Sequence, residues 1–188
     1  MKPITLYIFV HDDVPSSIVS TLGRGYFKEF TDEISFITGR SFVFNEVRHV
    51  KGLTDHNYKG QNLSDVLWSW HAAAIGYKND KGLEWGKTER YILVTKDAIN
   101  DTVHGGAFPG KPAVIASTHF YQAIAHEIGH SFNATHEDGE LGWNAWGGEC
   151  ETYMYHEVSS LRGNCYRYTP KNRERIKALA AAKTECNT

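Results

Sequence analysis

Residues 126–137 read HEIGHSFNATHE, and this stretch carries most of the information about the fold and its chemistry. His126 and His130 are four residues apart, so on an α-helix both imidazoles project from the same face. That spacing lets both rings bind one zinc ion at about 2.0–2.1 Å. Glu127 lies on an adjacent helix face, where it would contact a water molecule beside the metal. The pattern therefore predicts two metal ligands and a general base on one helix.

His136 supplies a third imidazole, provided that the chain reverses its direction after the helix. A straight helix would carry this residue about 15 Å from His126. Asn133 stands where the helix must end, and asparagine tolerates the left-handed conformation of many helix ends. Three neutral imidazoles and a water molecule make an open catalytic zinc site rather than a closed structural one. We therefore predict one catalytic Zn²⁺ held by His126, His130 and His136.

The residues before this stretch alternate between strand and helix patterns. Helices are recognised by apolar residues spaced three or four apart, and strands by alternating or short continuous apolar runs. The predicted strands are residues 4–10, 41–50, 91–95 and 113–117, and the predicted helices are residues 18–37 (ending near Gly39), 63–74 (capped by Asn62) and one from Ser117 or Thr118 to Phe132 that includes His119. This order favours right-handed crossovers and a mostly parallel sheet.

The segment after the third predicted helix has a different character. Residues 133–168 show no clear period, and a stretch of that length without periodicity is usually functional. Thr169 and Pro170 then begin a last helix with Ile176 on its inner face. We predict an α+β fold with a mixed, mostly parallel twisted sheet, an active-site helix and an irregular C-terminal subdomain that ends in a helix. The H-E-x-x-H motif at residues 126–130 resembles that of zincins, and this resemblance implies a zincin-like fold. Residues 1–188 form one domain, with lobes at 1–132 and 133–188.

The composition fits one globular domain and excludes other classes. The 188 residues are 41% hydrophobic and 22% charged, as in ordinary folded domains. Lys and Arg number 20 and Asp and Glu 22, a net charge of −2, so no basic excess favours nucleic acid. The apolar runs are too short to span a bilayer. Residues 4–10 are also too short for a signal peptide, so either the export signal is missing or export uses no cleaved signal.

The cysteines are Cys150, Cys165 and Cys186, and none of them forms a C-x-x-C pair that would indicate a cysteine-built zinc site. We expect one disulfide in the C-terminal part, with the pairing left open. A disulfide would imply an oxidising destination.

The motif is similar to the extended metzincin signature, H-E-x-x-H-x-x-G-x-x-H followed downstream by a methionine-containing turn. The histidines and Glu127 match it, and Asn133 stands in place of the family's glycine. The resemblance implies a zinc-dependent endopeptidase acting on polypeptides, in which Met154 packs beneath the metal as a hydrophobic base. The short, cysteine-flanked spacing to Met154 is closest to bacterial reprolysin-like (adamalysin-like) enzymes. Glu137, directly after His136, is a secondary, astacin-like feature.

The resemblance also suggests residues that bind substrate. Gly106 and Ala107 correspond to an edge strand that binds extended peptides, although a plain surface loop is the alternative. Tyr155 and His156 follow the methionine and are further candidates, but His156 stands where astacins carry a tyrosine, so that tyrosine's role is not transferred. Trp143 and Trp146 either line the pocket after the scissile bond, as the corresponding segment does in the family, or fill the core of the C-terminal part.

Two other functions remain open at this stage. A gluzincin-type hydrolase would take Glu149 or Glu151 as its third ligand, whereas a zinc-bearing binding or toxin module would have little protease activity. A free protease endangers its producer, which suggests a secreted or toxin-like effector delivered outside the producing cell. Such a protein would have a protein inhibitor or an export or delivery partner. These expectations rest on family analogy.

Overall fold

The computed structural model describes residues 1–157, 159 and 161–182. Its main sheet consists of β1 (Ile4–Val10), β2 (Phe42–Val47), β3 (Glu89–Thr95), β4 (Gly105–Ala107) and β5 (Ala113–Ser117). The strand order is β2-β1-β3-β5-β4. All neighbours are parallel except β4, which pairs antiparallel with β5 at one edge. The predicted α+β class with a mixed, mostly parallel sheet is confirmed.

Among the residues that the structure describes, five α-helices accompany the sheet: α1 (Ser16–Val19), α2 (Lys28–Thr38), α3 (Leu63–Asp80), α4 (Ala123–Ser131) and α5 (Pro170–Ala181). As predicted, Gly39 ends α2 in the left-handed conformation, and the Asn62 side chain caps α3. The prediction of one helix over 18–37 is wrong, because a π-helical turn at Leu22–Phe27 separates α1 from α2. That turn contains Gly23 and Gly25, and glycine weakens regular helix. Within the described residues, no helix combines the length and apolar character needed to cross a membrane.

The helices cover both faces of the sheet, which explains why every residue of β3 is buried. On one face, Trp70 of α3 packs with Phe9 and Leu93. On the other face, α2, α4 and α5 contribute to a core that includes Ile92 and Val114. The β4 edge is thereby placed between α3 and α4, and it borders the segment from which the histidines project.

The C-terminal part is built around a small second sheet and one disulfide. Strands β6 (Leu141–Trp143), β7 (Glu149–Glu151) and β8 (Gly163–Asn164) pair in the order β6-β7-β8. Cys150 and Cys165 form the disulfide, so the expected disulfide is present, while Cys186 lies outside the described residues. Helix α5 returns to the main body and packs on α2, where Arg173 pairs with Glu33 at 2.8 Å. The division into lobes at residue 132 stays a prediction.

Two tryptophans project from the tip of the β6–β7 hairpin. Trp143 is 71% exposed and Trp146 is 96% exposed, so they neither fill the core nor line the cleft described below. Both interpretations from the sequence are therefore wrong. The Asn144 side chain accepts hydrogen bonds from the backbone N–H groups of Trp146 and Gly148, each at 3.0 Å. These bonds close the tip and leave the indoles outside.

Candidate metal centre

The structure brings His126 and His130 of α4 together with His136, which follows the helix. The Nε2 atom of His136 lies 2.8 Å from Nε2 of His126 and 2.9 Å from Nε2 of His130. Asn133 has φ 69° and turns the chain back as the sequence predicts. The Ala134 N–H donates to the Gly129 carbonyl at 3.0 Å, which closes the helix end. The reversal is therefore local, and it places the third imidazole over the other two.

Helix α4 begins several residues later than the sequence pattern indicates. Ser117 is the last residue of β5, and the Thr118 N–H still donates to the Thr95 carbonyl at 2.8 Å. This bond keeps the chain on the sheet, so the helix starts only at Ala123. His119 consequently lies outside α4, where its ring stacks on that of His104 with centroids 5.3 Å apart.

Hydrogen bonds set the tautomers of the two helical histidines. Nδ1 of His126 lies 2.7 Å from the Tyr153 carbonyl, and Nδ1 of His130 lies 3.0 Å from the Ala134 carbonyl. Because a carbonyl oxygen only accepts, each Nδ1 carries the proton and each Nε2 presents a lone pair. Nε2 of His136 can donate to only one of them, so neutral rings leave an unsatisfied lone pair. This donor set fits a divalent cation that prefers imidazole, such as zinc.

Burial keeps the two helical imidazoles neutral. Burial, with the neighbouring His130 and His136, lowers the pKa of His126 to about 3. Burial likewise lowers the pKa of His130 to about 4, with His136 acting in the same direction. Metal ligation requires the neutral imidazole. Both rings are therefore in the ligating form at neutral pH.

Glu127 lies beside this cluster in the wall of the cleft. Its side chain is buried, and burial raises its pKa to about 8. A Cβ atom added at Gly105 would lie 2.8 Å from Cγ of Glu127, so the glycine of the edge strand makes room for this carboxyl group. A carboxyl whose proton affinity is tuned towards neutral pH, placed in a cleft, has the properties of a general acid–base group.

Met154 packs under α4 against a glycine of the motif. It is fully buried, and a Cβ added at Gly129 would lie 2.6 Å from its Sδ atom. The same Cβ would lie 2.7 Å from the ring of Tyr168, whose hydroxyl donates to the Ala125 carbonyl at 2.6 Å. The helix thus rests on Met154 and Tyr168 with no room for a side chain between them.

A cleft of about 420 Å³ runs past the histidines. Four sequence candidates for substrate binding line it: Gly106, Ala107, Tyr155 and His156. The first two belong to β4, the last strand of the sheet, whose second edge carries no partner strand within the described residues. The ring of His156 lies 6.0 Å from that of His136. The structure therefore gathers these candidates around one opening.

The glutamates considered as third ligands do not join the histidines. Glu151 is fully buried, and it accepts from Arg162 at 2.8 Å and from Gln122 at 3.0 Å. Glu149 also lies on β7 rather than on a helix, and it is exposed. Among the described residues, the one group able to hold a metal consists of the three histidines. The positions of these residues therefore count against the alternative of a gluzincin-type site with Glu149 or Glu151 as third ligand.

Sequence analysis missed Arg90, which holds the end of the motif helix. This fully buried residue donates from Nε to the Ser131 hydroxyl at 2.7 Å and from Nη2 to the Ser131 carbonyl at 2.9 Å. A cation at a helix C-terminus stabilises the last carbonyls. The only signal in the sequence is an arginine directly before the apolar residues 91–94 of the strand.

Comparisons with known proteins assign no family to this chain. A scan against protein-family models finds no match, and a search of curated proteins finds none. Solved structures do match, among them the crystal structure of a zinc-dependent peptidase from Methanocorpusculum labreanum. It shares 18% identity, covering 91% of this chain and 99% of that chain, with a TM-score of 0.45. So distant a likeness establishes no activity for the present chain.

Proposed function

We propose that this protein is a zinc-dependent metalloendopeptidase that hydrolyses peptide bonds. The observation that carries the proposal is the convergence of three Nε2 atoms, two of them fixed as lone-pair donors, beside a buried carboxyl group in an open cleft. His126, His130 and His136 would hold one zinc ion. The three-imidazole set leaves a fourth corner open, which is the arrangement of catalytic rather than structural zinc.

In this proposal the protein's own groups bind, orient and move protons. Zinc, when bound, supplies a Lewis acid that polarises the substrate carbonyl and acidifies water. Glu127 takes the proton from the attacking water and delivers it to the leaving amine. The unpaired edge of β4 aligns an extended peptide by backbone hydrogen bonds, and Gly106 and Ala107 belong to the part of this strand that lines the cleft. Tyr155 and His156, which also line the cleft, contact the substrate.

Replacement of Glu127 tests the assignment. Glu127→Gln removes the base and keeps the size of the side chain, so zinc should stay bound while peptide cleavage falls by about 10²–10⁴-fold. Glu137→Gln is the matched control, because Glu137 also directly follows a histidine of the cluster but is exposed. Its cleavage rate should stay at the wild-type level. Wild-type cleavage by a zinc-loaded Glu127→Gln protein would refute the role of the base.

The proposal also covers the subfamily of the enzyme and the place where it acts. We place the enzyme with the reprolysin-like metzincins on the strength of the motif and Met154. We also propose that it acts outside the producing cell as a secreted or toxin-like effector, to which the Cys150–Cys165 disulfide lends support.

A digest of a broad peptide library tests the peptidase activity. No cleavage by the zinc-loaded protein would instead favour a zinc-bearing binding module.

A further inference from the structure

His136 is held differently from the other two histidines. His126 and His130 are each oriented by a hydrogen bond from Nδ1 to a backbone carbonyl. For His136, by contrast, no hydrogen bond to Nδ1 is present within the described part of the chain, and the residue is exposed. The position of its ring therefore depends on the backbone that carries it. The loop after Asn133 must be fixed by something other than the side chain of His136.

Residues at the start of α5 form hydrogen bonds with this loop on both sides of His136. Oδ1 of Asn172 accepts from the Thr135 N–H at 2.8 Å, and Nδ2 of Asn172 donates to the Thr135 carbonyl at 3.0 Å. The Thr169 hydroxyl donates to the Asp138 carbonyl at 2.7 Å. Asn172 is fully buried and Thr169 is 4% exposed. The residues before and after the third imidazole are thus tied to one rigid helix end.

We propose that Asn172 is a positioning residue that sets the third ligand of the metal site. The inference rests on the proposed zinc site and deepens it. Thr135 has extended backbone angles, and the two-point contact from the amide mimics a neighbouring strand. Asparagine suits this contact because its side chain both donates and accepts, whereas an ionised aspartate only accepts. Without the contact, the loop pays more conformational entropy when His136 joins the metal.

A pair of neighbouring substitutions on α5 tests the inference. Asn172→Ala removes both bonds to Thr135, whereas Arg173→Ala removes the ion pair to Glu33 that docks the same helix. Zinc affinity of the full-length protein is measured by competition with a chelating indicator, and the thermal midpoint is measured without metal. We expect Asn172→Ala to bind zinc about 10- to 100-fold more weakly. Arg173→Ala should retain the wild-type affinity even where its thermal midpoint falls.

Two further variants keep the test decisive. Asn172→Asp preserves volume and the acceptor for the Thr135 N–H, so it should fold and lose an intermediate part of the zinc affinity. In a His136→Ala background, Asn172→Asp should change zinc affinity no further, because the ligand that it positions is gone.

Several results would overturn the inference. Wild-type zinc affinity in both Asn172 variants would do so, as would an equal loss in Arg173→Ala or an undiminished effect in the His136→Ala background. A wild-type chain that binds no zinc would refute the proposed function and this inference together. Zinc binding that is indifferent to Asn172 would refute the inference alone.

Discussion

The substitution Gly129→Ala tests the packing that supports the metal-binding helix. Gly129 lies in the middle of the motif, on the side of α4 that faces Met154 and Tyr168. A new Cβ would lie 2.6 Å from Sδ of Met154 and 2.7 Å from Cε1 of Tyr168. Both neighbours are buried, and the Tyr168 hydroxyl is bonded to the Ala125 carbonyl. The methionine can shift, but the buried tyrosine ring is held by the hydrogen bond of its hydroxyl.

Two effects of opposite sign decide the outcome. Alanine favours helix over glycine by about 1 kcal/mol, which stabilises the variant. Overpacking of a dense core costs about 1–3 kcal/mol, and contacts this short belong in the upper part of that range. The free energy of unfolding should therefore fall by about 1–2 kcal/mol, since the clash outweighs the gain in propensity. For a chain of this size, that corresponds to a drop of about 2–8 °C in thermal midpoint.

Gly76→Ala is the matched control for this measurement. Gly76 lies in the interior of α3, and an added Cβ would meet no atom within 4 Å. Only the propensity gain remains there, so this variant should be more stable than the wild type by up to about 1 kcal/mol. Thermal and denaturant unfolding of the metal-free proteins should show shifts of opposite sign. If both variants gain stability equally, Met154 and Tyr168 do not pack against the helix as described.

Further predictions concern pH, metal and the disulfide. Burial raises the pKa of Glu127 from 4.5 to about 8. The folded protein therefore has its full stability with respect to this group below pH 4.5, and it loses stability relative to the unfolded chain as the pH rises from 4.5 to 8. The stability advantage of metal-free Glu127→Gln over wild type should therefore grow by about 1–3 kcal/mol between pH 5 and 8 in denaturant titrations, and a constant difference would contradict this. The pKa values of His126 and His130 are lowered, so the unfolded chain takes up protons before the folded protein does. The metal-free protein should therefore lose stability as the pH falls from 6.5 to about 3, and acid unfolding measures this loss. Zinc at 100-fold its dissociation constant should add about 2.7 kcal/mol to the free energy of unfolding. An unfolding midpoint that zinc leaves unchanged would count against a zinc site in the folded protein. A chelator should abolish peptide cleavage until zinc is restored. Replacing Cys150 and Cys165 by serine should cost about 3 kcal/mol, because the bond closes a loop with a sequence separation of 15, whereas a wild-type midpoint in the double variant would speak against a stabilising bond.

Much of the fold was predictable because its signals are local. Asn62 and Gly39 mark helix ends through their own hydrogen bonding and backbone freedom. The spacing of His126 and His130 places them on one helix face whatever surrounds the helix. Asn133 likewise predicts the reversal at the end of that helix through a property of one residue.

What escaped prediction depends on contacts between residues distant in sequence. The start of α4 is delayed because Thr118 bonds to Thr95 on another strand, and no helical period records such a bond. The hydrogen bonds between Asn172 and Thr135 join residues 37 positions apart, and the asparagine in the sequence does not indicate which residue it contacts. Arg90 is a similar case, because its partner Ser131 is known only once strand and helix are packed.

X-ray absorption at the zinc edge, combined with elemental analysis, tests most directly whether the three histidines hold zinc, and it is applied to the wild type and to His136→Ala. We expect one zinc ion per wild-type chain, surrounded by three imidazole nitrogens and one light ligand at about 2.0–2.1 Å. His136→Ala should show one imidazole fewer and weaker retention of the metal. A wild-type protein without stoichiometric zinc, or an imidazole count that His136→Ala leaves unchanged, would contradict a zinc site built from His126, His130 and His136.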